Sequence, residues 1–170
     1  QGYGYANIRG LREAKGDIII VCEPDGTFVA EDIHKFLIYS EDFDVVFGTR
    51  TSRASIWSGA NMGWFLRVGN VFVAKLLEYL HNGPCLTDVG CTYKLLKRAA
   101  VDKIKDKFKV GGSHFSPELM ILVIKNRTKC IEIPVNYKGR IGQSKITGSF
   151  WKAFKLGLAM IWLIISYKFK

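Results

Sequence analysis

The sequence has few cysteines, and their spacing argues against two kinds of site. Only four occur in 170 residues, Cys22, Cys85, Cys91 and Cys130, and no two of them form a Cys-x-x-Cys pair. Neither a zinc site nor a disulfide framework is therefore indicated. Because cysteine is often buried as a small hydrophobic residue, we interpret the four as core thiols of a protein from a reducing compartment.

Acidic residues are scarce relative to basic ones. The chain has 15 Asp and Glu against 25 Lys and Arg, a formal net charge of +10. Such a surplus predicts an anionic partner, which could be nucleotide phosphates, nucleic acid or an acidic membrane surface. The basic residues are spread along the chain and form no zinc finger or RNA-recognition motif. A basic nucleic-acid-binding domain without catalysis is therefore kept as an alternative, and no nucleic-acid partner is expected.

A long uncharged segment is also missing. Hydrophobic residues make up 48% of the chain, enough for the core of about one domain. The uncharged run of the last apolar segment is, however, shorter than the ~20 residues that span a bilayer. The first residues show no signal-peptide pattern, and Gln1 opens directly into a glycine-rich stretch. We expect the sequence to be a fragment that starts downstream of the natural beginning.

One stretch near the start has the pattern of a site. Residues 18–22 form a continuous apolar, β-branched run, which predicts a strand buried on both faces of a parallel sheet. Glu23 and Asp25 follow it two residues apart, so on extended chain their carboxylates point to the same side. Ligands of open α/β sheets collect beyond such strand ends. The pair predicts a seat for a divalent cation that also holds a phosphate-bearing ligand, and a solvated acidic turn is the alternative.

The rest of the chain alternates between predicted helices and strands. Helices are predicted at 6–15, 31–40, 62–80, 99–104, 116–126 and from 150, and strands at 44–48, from 91 and at 130–137. The order strand, helix, strand favours a right-handed crossover and a parallel sheet. Ser116 followed by Pro117 is typical of a capped helix start. Pro134 places the last strand at an edge or at a strand end.

Taken together, these landmarks resemble the family 2 glycosyltransferases of GT-A fold. Within that family they resemble the branch of dolichyl-phosphate mannose and glucose synthases and their prokaryotic polyprenyl-phosphate relatives. The stretches that carry the resemblance are Gly2-Tyr3-Gly4-Tyr5-Ala6-Asn7, Ala14-Lys15-Gly16-Asp17, Glu23-Pro24-Asp25-Gly26-Thr27, Phe47-Gly48-Thr49-Arg50, residues 86–93 and Arg140-x-Gly142-x-Ser144-Lys145. Their order and spacing match over nearly the whole chain.

The sequence departs from the family pattern in two places. The metal-binding motif of the family usually begins with Asp, and Glu23 stands there in this chain. The opening strands of the family, which hold an Asn-Glu pair and the aspartates for the donor base and ribose, have no counterpart. The resemblance therefore implies an amino-terminally truncated chain that is inactive alone.

The resemblance implies a fold, an activity and a location. The fold would be α/β, a Rossmann-like, mostly parallel sheet flanked by helices. A partial GT-A domain would cover 1–148, and 149–170 would form an apolar, amphipathic helix at the membrane interface. The enzyme would move a hexose from a UDP- or GDP-linked sugar to a polyprenyl or dolichyl phosphate, with Mg²⁺ or Mn²⁺ held by Glu23 and Asp25. It would lie on the cytoplasmic face of a membrane, attached to the anionic surface or anchored in it.

Two other enzyme functions stay open. One is a glycosyltransferase that acts on a glycan or another hydroxyl acceptor, and the other is a nucleotidyltransferase.

The resemblance also assigns roles to residues further along the chain. Asp88 would face the acceptor as a base or an orienting group, or else it caps a turn. Arg140, Ser144 and Lys145 would grip the phosphate of donor or acceptor, since they combine a planar fork, a hydroxyl and a point charge. A solvated basic loop is the alternative for these three. Arg50 would reach the same phosphates or form a structural salt bridge.

Three features remain open on the sequence alone. His114 lies in a glycine-flanked loop and is interpreted as a packing or capping residue rather than a catalyst. The predicted helix at 62–80 is too apolar for one buried face, so it is deeply buried or leans on a membrane. The last helix has lysines and aromatics at its ends, which suits the headgroup boundary, but a core helix or the start of a membrane segment fits as well.

Overall fold

The computed structural model of the chain describes residues 2–60, 62–141 and 150–169. The helices are α1 (Tyr3–Glu13), α2 (Ile33–Tyr39), α3 (Trp64–His81), α4 (Arg98–Ile104), α5 (Phe115–Lys125) and α6 (Phe150–Lys168). The strands are β1 (Ile18–Val21), β2 (Val45–Thr49), β3 (Lys94–Lys97) and β4 (Cys130–Pro134). Short 3-10 turns lie at Ala30–Asp32 and Arg53–Ser55. The predicted α/β class is confirmed, and most predicted elements begin or end within a few residues of their predicted bounds.

The four described strands form one mixed sheet in the order β1-β3-β2-β4. β2 and β4 pair in parallel, whereas β3 runs antiparallel to both β1 and β2. Three of these four strands therefore point the same way, as the mostly parallel prediction required. β1 and β2 are parallel in direction, but they do not pair with each other, because β3 is inserted between them.

Burial differs between the two strands that were predicted to be buried. All five residues of β2 are buried, because it lies inside the sheet with packed side chains on both faces. The prediction that residues 18–22 are buried on both faces is wrong, since Ile18 is 43% exposed, Ile20 and Val21 are only partly buried, and Ile19 alone of the four β1 residues is buried. β1 lies at an edge of the described sheet, where fewer side chains cover it.

The sheet separates two hydrophobic clusters, and β2 contributes to both. Val45 and Phe47 point into the larger cluster, which also contains buried residues of α1, α3, α4, α5 and α6. Val46, between them, points to the opposite face with Phe36 of α2 and Tyr93. This alternation is the period of two that a strand imposes on its side chains. Helices thus flank the sheet on both sides, and the carboxyl ends of β1 and β2 lie at one rim.

The predicted start of α5, with Ser116 as its cap, was wrong. α5 begins at Phe115 with His114 in the N-cap position, so Ser116 is not its cap. The Ser116 hydroxyl instead donates a hydrogen bond to the Val89 carbonyl at 2.6 Å, and Pro117 is tolerated because the first turn leaves amide groups without helical partners.

The prediction of four core thiols holds for only part of the set. Cys91 is buried and Cys130 half-buried, whereas Cys22 and Cys85 are exposed. Cys22 follows the edge strand, and Cys85 lies in the loop after α3. Both positions lie outside the covered faces of the sheet.

α6 belongs to the core on one side and is exposed on the other. It packs against α3 and α5 and buries Met160, Leu163, Ile164 and Tyr167. Lys125 Nζ donates to the Tyr167 carbonyl at 2.9 Å, which ties the end of α6 to α5. By length and composition α6 could cross a membrane, but a core helix passes the same test.

The exposed side of α3 and α6 is aromatic. The large hydrophobic residues that are exposed on these two helices, most of them aromatic, are Trp64, Phe65, Val68, Phe72, Tyr79, Phe150, Trp151, Phe154, Leu158, Trp162 and Ile165. We name the part of this set that lies between Trp64 and Phe72 and between Phe150 and Ile165 the aromatic face. The sequence left open whether these helices are buried or lie against a membrane. In the structure each helix buries one side in the core and exposes the other.

Gly48 gives a test of the sheet packing. A Cβ at this position would lie 2.8 Å from the Tyr93 carbonyl oxygen and 3.0 Å from Val135 Cγ1. We expect Gly48→Ala to lower the free energy of unfolding by about 1–3 kcal/mol, the usual cost of overpacking a core. The control is Gly10→Ala in α1, where nothing lies within 4 Å and alanine favours the helix. Denaturant melts that show Gly48→Ala to be as stable as Gly10→Ala would contradict this packing.

Candidate active site

A cavity of about 1400 Å³ opens beyond the carboxyl end of β1. Residues of α1, α3 and α6 form most of its wall, and many of them are apolar. Its polar residues include Glu23, Asp25, Arg50 and Arg140, four positions that the sequence had singled out. A strand end, carboxylates, guanidinium groups and an apolar wall therefore meet in one place.

Asp25 is held by the turn that follows β1. Its Oδ1 accepts hydrogen bonds from the Thr27 amide at 3.0 Å and from the Thr27 hydroxyl at 2.6 Å. Gly26 completes the turn with a φ of 76°, a conformation that favours glycine. Burial opposes ionisation of Asp25, but the two Thr27 bonds and the nearby Arg140 outweigh it and hold the pKa below its ordinary value. Asp25 is therefore a fixed, ionised carboxylate.

Arg140 brings Glu23 and Asp25 together. Its Nη2 donates to Glu23 Oε2 at 2.8 Å and also contacts Asp25 Oδ2. Burial and the neighbouring Asp25 carboxylate raise the pKa of Glu23, and the positive charge of Arg140 opposes that rise. The structure thus places three of the predicted site residues in contact. Ser144 and Lys145, predicted to act with Arg140, lie outside the described residues.

Asp88 is completely buried and paired with Arg50. The Arg50 backbone amide and Nε donate to Asp88 Oδ2 at 3.0 and 2.9 Å, and Nη2 donates to Oδ1 at 3.0 Å. The Gly90 amide adds a bond to Oδ1 at 3.0 Å. Burial opposes the charge of Asp88, but Arg50 keeps its pKa below the ordinary value. With both oxygens engaged, the geometry suits an orienting group better than a base, and a catalytic role stays a prediction.

Arg50 forms the salt bridge that was one of its two predicted roles. Its guanidinium also lies 5.2 Å from the centre of the Tyr137 ring, within the range of a cation–π contact. The side chain is only 14% exposed. A phosphate contact for Arg50 stays a prediction.

A second carboxylate supports the segment that carries Asp88. Glu132 on β4 accepts hydrogen bonds from the Thr87 amide at 2.7 Å, the Thr87 hydroxyl at 2.6 Å and the Asp88 amide at 3.0 Å. Burial raises the pKa of Glu132 despite these donors. The sequence analysis did not single out Glu132. An acidic residue between two isoleucines of a predicted strand could have indicated a functional or structural carboxylate.

Other polar residues around the cavity were also missed. Tyr3 and Asn7 reach it from α1, Asn70 from α3, and Tyr137 from the segment after β4. Burial, reinforced by the charge of Glu23, raises the pKa of Tyr3. The stretch from Gly2 to Asn7 carried part of the family resemblance, so its polar side chains could have been assigned to the site. His114 stands at the N-cap position of α5, but its side chain makes no capping hydrogen bond.

Comparison with known proteins relates this geometry to one class of enzyme. No protein-family model matches the chain. A dolichyl-phosphate hexose transferase of Haloferax volcanii is 26% identical over 147 residues, which cover 86% of this chain and 61% of that protein. An uncharacterised glycosyltransferase of Mycobacterium bovis is 27% identical over 168 residues, which cover 97% of this chain and 72% of that protein. The chain thus spans less than two thirds of the Haloferax relative.

A solved structure gives the fold. Glucosyl-3-phosphoglycerate synthase from Mycobacterium tuberculosis, in complex with Mn²⁺, UDP and glucosyl-3-phosphoglycerate, matches with a TM-score of 0.62 at 13% identity. The match covers 98% of this chain and 55% of the synthase. The fold is that of a GT-A glycosyltransferase. The resemblance seen in the sequence is confirmed, because the homologues and the structural neighbours are glycosyltransferases.

The GT-A fold raises the question of whether Glu23 and Asp25 suit a divalent cation. Among the described residues no group of three or more His, Cys, Asp or Glu side chains comes together as a metal site. Within the described part of the chain the site offers two carboxylates, Glu23 and Asp25, and Mg²⁺ commonly takes one or two from a protein when substrate phosphates supply further oxygens. Asp25 Oδ2 is buried and lies against the positive Arg140 guanidinium, so its position suits a cationic partner. The two residues fit Mg²⁺ or Mn²⁺ chemically.

The buried Arg50–Asp88 pair generates a stability prediction for this GT-A domain. We expect Asp88→Asn to lower the free energy of unfolding by about 3 kcal/mol, since it leaves a buried guanidinium without its charge partner. Asp102→Asn is the control, because Asp102 forms an exposed ion pair with Lys105 and such pairs are screened by water. Chemical denaturation of both variants distinguishes the two cases. Equal stability of Asp88→Asn and the parent would show that the pair contributes little.

Proposed function

We propose that the complete protein is a glycosyltransferase that moves a hexose from a UDP- or GDP-linked sugar to a polyprenyl or dolichyl phosphate. The observation that carries this proposal is the shape and chemistry of the cavity. One end holds two carboxylates and two guanidinium groups, and apolar residues of α3 and α6 line another part of its wall. The charged end suits the diphosphate of a donor. The apolar part of the wall suits the hydrocarbon chain of an acceptor whose phosphate reaches the charged end.

The polar end suits binding of the donor diphosphate. Arg140 can donate to phosphate oxygens through its planar fork, and Ser144 and Lys145 are proposed to act with it. A divalent cation, Mg²⁺ or Mn²⁺, held by Glu23 and Asp25 would neutralise the charge that develops on the diphosphate leaving group. The solved synthase of the same fold was crystallised with Mn²⁺ and UDP, which agrees with this choice of ligands.

A lipid phosphate acceptor also suits the state of Asp88. An acceptor phosphate is already ionised near neutral pH, so its attack gains little from a general base. Asp88 is ion-paired at both oxygens, and we propose that it orients the Arg50 guanidinium at the edge of the cavity. The site then needs positioned charges more than it needs a proton acceptor.

The aromatic face supports a membrane location. Large exposed apolar residues in this number are rare on soluble monomers and mark interaction or membrane surfaces. Lys152 and Lys155 lie among the aromatics of α6, a combination typical of helices at the headgroup boundary. We propose that residues 149–170 attach the domain to the cytoplasmic face of a membrane, as a unit that follows the GT-A domain of 1–148. The four free cysteines agree with a reducing compartment.

The donor site can be tested by calorimetry on the full-length protein. We expect Asp25→Ala to abolish Mn²⁺-dependent binding of the nucleotide sugar, because it removes one of two proposed cation ligands. Asp17→Ala is the matched control, since Asp17 precedes β1 at the opposite end of the strand. If Asp25→Ala binds donor and Mn²⁺ like the parent, the site lies elsewhere.

The acceptor can be tested with radiolabelled UDP- and GDP-hexoses and washed membranes. We expect the full-length protein to move label into an organic-extractable product that is labile to mild acid, as a lipid-linked sugar phosphate would be. Asp25→Ala should leave the organic phase unlabelled. Label that appears only in water-soluble glycan or protein would refute the lipid acceptor while leaving the glycosyltransferase proposal intact.

A further inference from the structure

Arg140 contacts the two carboxylates that are proposed to hold the cation. Asp25 Oδ1 is committed to Thr27, which donates to it from both its amide and its hydroxyl. Asp25 Oδ2 remains, and the Arg140 guanidinium contacts it. The same nitrogen, Nη2, donates to Glu23 Oε2 at 2.8 Å. One atom of Arg140 therefore bridges the two carboxylates.

The backbone fixes Arg140 at this position. The Lys138 amide donates to the Thr27 carbonyl at 2.8 Å, and the Ile141 amide donates to the Asp25 carbonyl at 3.0 Å. The two bonds pair the chain around Arg140 with the turn after β1. The Ile141 side chain also lies close to Gly26, where a Cβ would be 3.1 Å from Ile141 Cδ1. The position of Arg140 is thus set by the main chain, and its side chain alone chooses between ion-pair partners.

A guanidinium and a divalent cation would compete for these two carboxylates. Both are positive, and Arg140 already lies on Glu23 Oε2 and on Asp25 Oδ2, the Asp25 oxygen that Thr27 leaves free, so the two would repel each other there. The ion pair is only partly buried, with the Arg140 side chain 31% exposed, so the guanidinium can turn away without leaving a charge enclosed in protein. A phosphate group beside the carboxylates would give it a new anionic partner.

We propose that Arg140 and the divalent cation compete for Glu23 and Asp25, and that the displaced guanidinium pairs with the diphosphate. This inference rests on the proposed function, because it assumes that a cation and a diphosphate bind at this site. Cation and diphosphate then favour each other's binding. The cation neutralises the carboxylates in place of Arg140, and the diphosphate pairs with the guanidinium that the cation displaces. By linkage, the effect of one ligand on the affinity of the other is reciprocal.

The first experiment measures Mn²⁺ binding to the full-length protein without nucleotide, by electron paramagnetic resonance of free Mn²⁺. We expect Arg140→Gln to tighten Mn²⁺ binding about fivefold, which corresponds to ~1 kcal/mol, the upper end for partly exposed ion pairs. Lys138→Gln is the matched control. It removes one positive charge two residues before Arg140, and the Lys138 side chain lies over the Trp57 ring. Arg140→Lys, which keeps the charge, should bind Mn²⁺ nearly as weakly as the parent.

The second experiment adds UDP or GDP at saturating concentration. We expect the nucleotide to strengthen Mn²⁺ binding more in the parent than in Arg140→Gln, because only the parent has a guanidinium to transfer from carboxylate to diphosphate. An Arg140→Gln variant that binds Mn²⁺ no more tightly than Lys138→Gln would overturn the inference and leave the metal–diphosphate site standing. Absence of Mn²⁺ binding in all variants, with and without nucleotide, would overturn the metal site as well.

Discussion

A carboxylate that is completely removed from water must be surrounded by donors, and Asp88 organises the rim of the sheet for that reason. Its oxygens receive four hydrogen bonds, three from Arg50 and one from Gly90. Arg50 follows β2, and Glu132 of β4 holds the amides of Thr87 and Asp88. Two parallel strands and the segment before β3 are therefore joined through charges. If Arg50 or Asp88 is removed, the other remains buried without its charge partner.

The sequence indicated correctly what depends on local pattern. Glu23 and Asp25 follow an apolar, β-branched run, and strand ends of this kind place side chains at the rim of a sheet whatever the other strands do. The pairing order did not follow from such patterns. β3 lies between β1 and β2 because of contacts between residues far apart in the chain, such as Val46 with Leu95. Likewise, Arg140 and Glu23 are 117 residues apart, so their ion pair has no local signature.

The apolar helices show a different limit of sequence reasoning. α3 and α6 each have more apolar residues than one buried face can use, and the sequence could not distinguish a buried helix from a surface one. In the structure each helix is both. Met160 and Ile164 of α6 are buried, and Trp151 and Trp162 are 68% and 70% exposed. Composition gives the amount of apolar surface, but only packing against α3 and α5 decides which part is covered.

The backbone pairing around Arg140 has a consequence for the speed of events at the site. Because Lys138 and Ile141 are bonded to the turn after β1, a change of ion-pair partner by Arg140 needs rotation about side-chain bonds only. Rotamer changes of exposed side chains take about picoseconds to nanoseconds, whereas loop opening can take microseconds or longer. Typical enzyme turnover, at about 1–1000 per second, is far slower than such rotamer changes. Exchange of the guanidinium between its partners would therefore be in equilibrium throughout a catalytic cycle, and it would affect occupancy of the site rather than the rate of a step.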